Sequence, residues 1–416
     1  MRAFRSLIGV TASAVISRIA VLITLVAYGH TVPLAEYQNI LLIVAIAVTL
    51  QVMFDTSSLG TFIIQKSDSG SRLEDFFSGK KISFIAGIVT VCVCSFVGMV
   101  MNAGGDVVIA AFGLGVLAAS ESVTRYSRWV WQVKSEFAQY AVVDWALSVN
   151  RIIYSSLVFF AGSVAWATSV VVMTSATIVS AAVIAAQRCV LRDSGPTAGR
   201  ASLFEFARAA TPFVLGVSLS AAYSQLPTLM LGLRSDVASG ATFAAATRIT
   251  QPTEIAPAAL ANVALPKLVG RNRGRSRIVM AQLSAAIAIA LVCAASIYLA
   301  VPVISQVLNY PESLIYPVIG VLVLALPIKF VNYQLVVLAI ATGLIKARVI
   351  ATALIAVLTL VATWIVAPLG PVQVAVVVLC AEALLCAILC GSIMRMKRLQ
   401  KRELGIDENP TLLSRT

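Results

Sequence analysis

The sequence predicts an all-α polytopic membrane protein, with about twelve transmembrane helices in two six-helix bundles around a central cavity. Hydrophobic residues make up 59% of the 416 residues and charged residues only 12%, and the mean hydropathy is +0.94. About a quarter of the residues in soluble proteins are charged. Apolar runs recur along the whole chain, and basic residues gather between alternate pairs of these runs.

The apolar runs define the predicted spans. A helix needs about 20 mainly apolar residues to cross a hydrocarbon core of about 30 Å. The predicted spans are 8–28, 39–62, 82–101, 106–124, 138–161, 165–186, 207–230, 241–266, 278–303, 314–341, 349–367 and 372–394.

The positions of Lys and Arg predict the orientation, because cytoplasmic loops carry an excess of both. With a cytoplasmic N-terminus every inner connection is basic, whereas the outer connections contain only Arg234. An error of one helix in the count would invert this alternation. The sequence therefore predicts a multi-pass protein of the cytoplasmic membrane with both termini in the cytoplasm. The basic residues assigned to the inner side are Arg2, Arg5, Lys66, Arg72, Lys80, Lys81, Arg125, Arg128, Lys134, Arg188, Arg192, Arg200, Arg208, Lys267, Arg271, Arg273, Arg275, Arg277, Lys346, Arg348, Arg395, Lys397, Arg398, Lys401 and Arg402.

A linker-like inner connection, residues 187–206 with the run SGPTAGRAS, divides the chain near its middle. We predict an N-terminal six-helix bundle in residues 1–186, this cytoplasmic linker, a C-terminal six-helix bundle in residues 207–394, and a cytoplasmic basic tail in residues 395–416. The connections are too short to contain a soluble catalytic domain.

Signatures of enzymes and cofactor sites are missing from the sequence. It contains no Walker A loop, no HExxH, no GxSxG and no dinucleotide-binding glycine fingerprint. The seven cysteines include no CxxC, and His30 is the single histidine. Topology accounts for the net charge of +13, so nucleic acid is not an expected partner. We expect a protein that is not an enzyme and that has neither a cofactor nor a metal site.

Ionisable residues at membrane depth are the candidate functional residues. Each costs about 2.5 to 3.5 kcal/mol at a helix centre, a penalty avoided by facing a hydrated interior. Arginine donates two parallel hydrogen bonds to phosphate, so the cations predict a cavity for an acidic or phosphate-bearing substrate. The acids are candidates for binding a coupling ion. The cations are Arg18, Arg151, Arg248 and Lys329, and the acids are Asp55, Asp144, Glu254 and Glu382.

Three of these candidates have structural interpretations of equal weight. Asp144 and Arg151 are seven residues apart and face the same way, so the alternative for both is a structural ion pair with a neighbouring helix. Gln51 and Asp55 share a helix face, where an interhelical hydrogen bond is as probable as a role with an ion or proton.

Two stretches resemble Wzx-type polysaccharide flippases, which belong to the MOP superfamily of multidrug and toxin extruders (MATE) and oligosaccharidyl-lipid exporters. The runs SGATFAAATRITQP and LANVALPKLVGRNRG resemble the region after the seventh helix of these flippases. The run EYQNILLIVAIAVTL, before DTSSLGTFIIQK, is similar to their first-to-second helix region.

This resemblance implies a MATE-like, two-bundle, alternating-access transporter. It would move a polyprenyl-pyrophosphate-linked oligosaccharide from the inner to the outer leaflet of the cytoplasmic membrane, driven by a proton or sodium gradient. Arg248 occupies the position of the Arg in the family's Arg-Ile pair. The implied partners are the lipid-linked oligosaccharide, membrane lipids and the polysaccharide polymerase machinery.

Other membrane-protein functions would require different features in the sequence. A MATE-like ion-coupled exporter of cations would normally have an acidic cavity, and a lipid II flippase would usually have additional helices. A surface-polysaccharide polymerase or ligase would need large outer loops for acceptor chemistry. A non-transporting membrane scaffold remains open.

Overall fold

The structure is a computed structural model of the whole chain. It describes residues 2–53, 72–101, 105–133, 137–193, 211, 218–219, 223–258, 260 and 275–403.

The described residues contain twelve longer helices, a further helical run at 255–258 and no β-strand. Two short 3-10 turns, Gln251–Glu254 and Ala367–Leu369, follow α8 and α11. The predicted all-α membrane fold is confirmed. The helices are α1 Arg2–Thr31, α2 Leu34–Met53, α3 Arg72–Val100, α4 Gly105–Val133, α5 Phe137–Ala161, α6 Val164–Asp193, α7 (helical residues 223–234), α8 Val237–Thr250, α9 Arg275–Val307, α10 Glu312–Ala341, α11 Ile345–Val366 and α12 Pro371–Glu403.

Nine of the helices in the described part of the chain are long and apolar enough to cross a membrane. They are α2 to α6 and α9 to α12. A shorter apolar stretch, Ile16–Thr31, lies in α1. Large hydrophobic side chains such as Phe160 and Leu299 are exposed on the outside of the bundle, where lipid replaces water as the solvent.

Several helices continue beyond the predicted apolar windows. The fourth span was predicted over 106–124, whereas α4 runs to Val133. The sixth helix reaches Asp193, so it includes the start of the predicted linker, and α12 extends to Glu403 inside the predicted tail. Backbone hydrogen bonding within a helix is local, so a helix does not stop where its apolar run stops.

Tight turns make consecutive helices antiparallel neighbours. Gly162 between α5 and α6, and Gly343 between α10 and α11, have φ of 61° and 78°, a left-handed conformation that favours glycine.

Asp236 caps the N-terminus of α8, since its side chain accepts a hydrogen bond of 2.5 Å from the backbone N–H of Ser239.

Helix packing brings the early and late parts of the chain together. Within α1 to α6, α1 packs on α5 and α4 packs on α3 and α6, while α10 packs on α9 and α12. Helix α2 packs on α8, where a Cβ on Gly240 would lie 2.7 Å from the Cα of Gly232 and 2.9 Å from the side chain of Leu42. Glycine at this position allows the close approach.

Polar contacts fix α1 against α5. The hydroxyls of Thr24 and Ser155 are 2.8 Å apart, and those of Tyr28 and Tyr154 are 2.5 Å apart. All four residues are buried. Apolar packing alone does not drive helices together in lipid, so such hydrogen bonds contribute to their association. This pairing holds α1 against α5, and both helices contribute residues to one cavity.

Candidate functional site: an arginine-rich cavity

A cavity of about 250 Å³ lies between α1, α2, α4, α5 and the end of α8. Five arginines and two carboxylates line it, an excess of three positive charges (five minus two). The arrangement favours an anionic ligand. The charged lining residues are Arg18, Glu121, Arg125, Arg128, Asp144, Arg151 and Arg248.

Helical periodicity places three of these residues on one face of α4. Glu121, Arg125 and Arg128 occupy positions i, i+4 and i+7, which share a face. The intervening Val123 and Tyr126 are buried in packing with other helices. The polar face of α4 therefore looks into the cavity while its apolar side is packed.

Two ion pairs join α4 to α5. Arg151 Nη1 lies 3.0 Å from Glu121 Oε1, with side-chain exposures of 10% and 14%. Gln51 of α2 donates a hydrogen bond to the other oxygen of the same carboxylate. Arg128 pairs with Asp144. Asp144 and Arg151 therefore both form ion pairs with the neighbouring helix α4. This is the structural alternative that the sequence analysis left open for these two residues.

Arg248 is buried in a different way. It is 4% exposed, and none of the ion pairs found among the described residues includes it. Its Nη1 donates to Gln251 Oε1 at 2.5 Å, its Nη2 to the carbonyl of Val44 at 3.5 Å, and its Nε has no partner. A guanidinium has five N–H donors, so Arg248 retains donors for a ligand.

A second polar cluster lies between α10 and the 3-10 turn after α8. Lys329 Nζ is 2.5 Å from Glu254 Oε1, and the hydroxyl of Tyr333 donates to Glu254 Oε2 at 3.1 Å. Lys329 is not among the residues that line the cavity. Its charge is compensated by Glu254.

Glu382 of α12 lies in the same region and has neutral partners. Asn332 Nδ2 donates to its Oε2 at 2.7 Å, and the hydroxyl of Tyr223 donates to its Oε1 at 3.3 Å. Glu382 is only 1% exposed. We refer to Glu254, Lys329 and Glu382 as the acid cluster.

The structure therefore separates the predicted candidates into two groups. Arg18, Arg151, Arg248 and Asp144 line the cavity, whereas Lys329, Glu254 and Glu382 form the acid cluster. Asp55 lies outside the described residues. Its predicted partner on the same face, Gln51, makes the interhelical hydrogen bond to Glu121.

Sequence reasoning missed three cavity residues, all on α4. Arg125 and Arg128 were assigned to a cytoplasmic connection, but they lie on the helix and line the cavity. Glu121 was not singled out at all. The i, i+4, i+7 spacing of these residues was the signal that could have identified them. Within the described residues no group of three or more His, Cys, Asp or Glu side chains could hold a metal ion.

The last turn of α1 contacts the end of α9 and the turn that follows it, at the opposite end of α1 from the cavity. Asn309, in the turn between α9 and α10, donates a 2.9 Å hydrogen bond from Nδ2 to the carbonyl of Gly29 at the end of α1. His30 Nε2 is 3.1 Å from the carbonyl of Val307. A Cβ on Gly29 would lie 2.4 Å from the carbonyl oxygen of Leu308. We call this set of contacts the closed end.

Comparison with known proteins identifies the family and the fold. The chain matches the family described as "Polysaccharide biosynthesis protein" over residues 4–269, more than half of its length. A search of curated proteins found no match.

Solved structures of MOP-superfamily transporters share the fold. An inward-facing multidrug resistance MATE family transporter is 17% identical, with a TM-score of 0.65 over 95% of both chains. A transporter from Pyrococcus furiosus, whose binding pocket is described as having reverse polarity, is 17% identical, with a TM-score of 0.66 over 95% of this chain and 96% of that one. The lipid II flippase MurJ, in an inward closed conformation, is 13% identical, with a TM-score of 0.71 over 92% of this chain and 87% of that one.

The resemblance inferred from the sequence is confirmed for the family and the fold: the chain belongs to the polysaccharide biosynthesis protein family and has the multi-pass membrane fold of MOP-superfamily transporters.

Proposed function

We propose that the protein is an alternating-access flippase that moves a polyprenyl-pyrophosphate-linked oligosaccharide from the inner to the outer leaflet of the cytoplasmic membrane, for surface polysaccharide assembly. The observation that carries this proposal is the excess of arginines over carboxylates in the cavity. Membership of a polysaccharide biosynthesis family supports the substrate class.

The cavity suits a pyrophosphate group. Each phosphate of a pyrophosphate diester carries a negative charge, and arginine forks match phosphate oxygens in pairs of hydrogen bonds. Arg18, Arg151 and Arg248 are the proposed binding residues, and among the described residues Arg248 makes only two hydrogen bonds with its five N–H donors. The cavity, at about 250 Å³, is slightly smaller than typical ligand sites of about 300 to 1,000 Å³, so it would hold the headgroup while the polyprenyl chain stays in the bilayer.

The closed end gives the proposed transport cycle a direction. Helix α1 begins on the cytoplasmic side if both termini are cytoplasmic, so the cavity faces the leaflet where the substrate is loaded. The contacts of Asn309 with Gly29 and of His30 with Val307 then lie at the outer face. Release to the outer leaflet requires these contacts to break while the cavity closes toward the cytoplasm. The proposed moving bodies are the six-helix bundles on either side of the linker at 187–206.

The acid cluster is the proposed coupling site. Glu382 has only neutral hydrogen-bond partners among the residues described above, Asn332 and Tyr223. A proton or a sodium ion that reached this carboxylate would neutralise a buried charge, which is the property a coupling ion needs. Glu254 is already compensated by Lys329. Lys329 also interacts electrostatically with Glu382 and with Arg18 of the cavity, so it links the proposed coupling site to the cavity. Asp144 and Asp55 are secondary coupling candidates.

A MATE-like ion-coupled exporter is the alternative, favoured by the shared fold and the buried acids. The two functions differ in the charge of the substrate. A cationic drug would be repelled by five arginines that stay protonated. The net positive charge of the cavity lining therefore favours the lipid-linked glycan over a cationic drug.

Depletion of the protein in a cell that makes a surface polysaccharide tests the proposal. Full-length lipid-linked repeat units should accumulate on the cytoplasmic leaflet, whereas unpolymerised units on the outer leaflet would point to a polymerase. Arg248→Glu and Lys329→Glu should each abolish export without preventing membrane insertion. Arg234→Glu is the matched control, because Arg234 is exposed at the end of α7. Export that continues with Arg248→Glu would remove this residue from the site.

A further inference from the structure

We propose that Glu121 is a displaceable stand-in for the substrate's phosphate: it holds Arg151 while the cavity is empty, and an incoming phosphate takes its place. This inference rests on the proposed anion-binding function of the cavity. It assigns a role in anion selectivity to a residue that topology does not explain.

The geometry matches that of a bound anion. Glu121 and Arg151 project from facing helices into the cavity, and their charged atoms are 3.0 Å apart. A carboxylate offers an arginine the same kind of hydrogen-bond acceptor as a phosphate does. A phosphate that entered between α4 and α5 would therefore compete for the Nη1 that Glu121 occupies.

The carboxylate can give up Arg151 without being left alone. Gln51 already donates to its other oxygen. Arg125 lies one helical turn further along α4, lines the same cavity and interacts electrostatically with Glu121. A buried charge that loses its only partner is strongly destabilised. These additional partners make the exchange possible, because Glu121 remains compensated after Arg151 moves to the phosphate.

Arg248 differs from Arg151 in this respect. No carboxylate among the described residues pairs with it. An anion can therefore bind Arg248 without competition but must displace Glu121 to reach Arg151. A ligand with two linked phosphates can engage both arginines, whereas a weakly binding monoanion does not overcome the Glu121 carboxylate. The return of the carboxylate to Arg151 also favours release of the substrate.

Binding of inorganic pyrophosphate to the purified full-length protein tests this role. In neutral detergent without phospholipid, Glu121→Gln should bind pyrophosphate about tenfold more tightly than the wild type, because the ligand no longer competes with a charge-assisted hydrogen bond. Glu312→Gln, at an exposed position at the start of α10, removes the same charge elsewhere and should leave the affinity unchanged. A gain of affinity is not expected of a residue with a purely structural role.

A second variant predicts the opposite sign. Gln51→Leu keeps the Glu121 carboxylate but removes its other hydrogen-bond donor, so the carboxylate should hold Arg151 more firmly and pyrophosphate should bind more weakly.

Nanodiscs of phosphatidylglycerol and of phosphatidylcholine separate two sources of phosphate, the lipid headgroups and the added pyrophosphate. If lipid headgroups fill the site, phosphatidylglycerol will lower the pyrophosphate affinity of Glu121→Gln more than that of the wild type.

The outcomes separate this inference from the proposed function. Unchanged or weaker binding by Glu121→Gln, with binding lost in Arg151→Gln, would overturn the role of Glu121 and leave the anion site intact. Unchanged binding in both Arg151→Gln and Arg248→Gln would overturn the anion site and the role of Glu121 together. If Glu121→Gln does not fold, tighter or unchanged binding by Gln51→Leu overturns the inference, and weaker binding supports it.

Discussion

Replacing Arg248 by methionine should leave the empty protein about as stable as the wild type, whereas the same replacement at Arg151 should destabilise it. Both arginines are buried and line one cavity. They differ in that Arg151 pairs with Glu121 at 3.0 Å, whereas Arg248 is in none of the ion pairs found among the described residues. The contrast tests whether Arg248 is present for a ligand and not for stability.

The expected magnitudes follow from these partners. Loss of one member of a buried ion pair costs about 3 to 5 kcal/mol, and since Gln51 continues to donate to Glu121, we expect about 3 kcal/mol for Arg151→Met. Arg248→Met loses a charged hydrogen bond to Gln251, about 1.5 to 3 kcal/mol. It also removes the desolvation penalty of a guanidinium that is only 4% exposed and has no carboxylate partner among the described residues, about 2.5 to 3.5 kcal/mol. The midpoints of these two ranges leave a net change below about 1 kcal/mol, and their limits run from a loss of about 0.5 kcal/mol to a gain of about 2 kcal/mol.

Unfolding by sodium dodecyl sulfate in mixed micelles, followed by tryptophan fluorescence, gives the required free energies of unfolding. The two variants should differ by at least about 2 kcal/mol, a factor of about 30 in the unfolding equilibrium. Arg234→Met is a control at an exposed residue, whose guanidinium lies 5.1 Å from the Trp364 ring centroid. It should cost about 0.5 to 1 kcal/mol.

Equal destabilisation by Arg248→Met and Arg151→Met would refute this reasoning. It would mean that the charge of Arg248 is fully compensated within the empty protein and that its guanidinium has no N–H donors left for a ligand. The proposed binding of pyrophosphate by Arg248 would then lose its main support.

Two further predictions concern the acid cluster and the closed end. Lys329→Met and Glu254→Gln should each lower the free energy of unfolding by about 3 kcal/mol. The double variant should lose at least about 1 kcal/mol less than the sum of the two single losses. Additive losses would show that the 2.5 Å ion pair between Lys329 and Glu254 contributes no coupling energy. Asn309→Ala removes the hydrogen bond to the Gly29 carbonyl, worth about 1 kcal/mol, and should raise the population open to the outside about fivefold. The check is the labelling rate of Thr24→Cys by an impermeant maleimide from outside, in a protein whose seven cysteines are replaced; an unchanged rate would contradict a role for this contact in closure.

The sequence was sufficient for the architecture because the membrane imposes strong constraints. Apolar runs and helical backbone hydrogen bonding are enforced wherever water is absent, and this made the all-α fold predictable. The same reasoning identified Arg18, Arg151 and Arg248 as interior cations, since a charge facing lipid is expensive. All three line the cavity.

The partners of these charges could not be predicted, because pairing depends on the rotation and contact of helices far apart in sequence. Lys329 was grouped with the arginines by depth alone, but it lies against Glu254, 75 residues away along the chain. Arg125 and Arg128 were explained by topology, and that explanation was wrong in its placement of them in a connection. The helix continues past its apolar run, and its periodicity turns both residues into the cavity.

Transbilayer movement of a fluorescent polyprenyl-pyrophosphate-linked saccharide in liposomes that contain the purified protein is the most direct test of the central claim. We predict protein-dependent exchange between leaflets, read from the fraction of label bleached by an impermeant reductant. Exchange should stop with Arg248→Glu and continue with Arg234→Glu. Exchange at the wild-type rate with Arg248→Glu would contradict the claim that the arginine-rich cavity carries the pyrophosphate across the membrane.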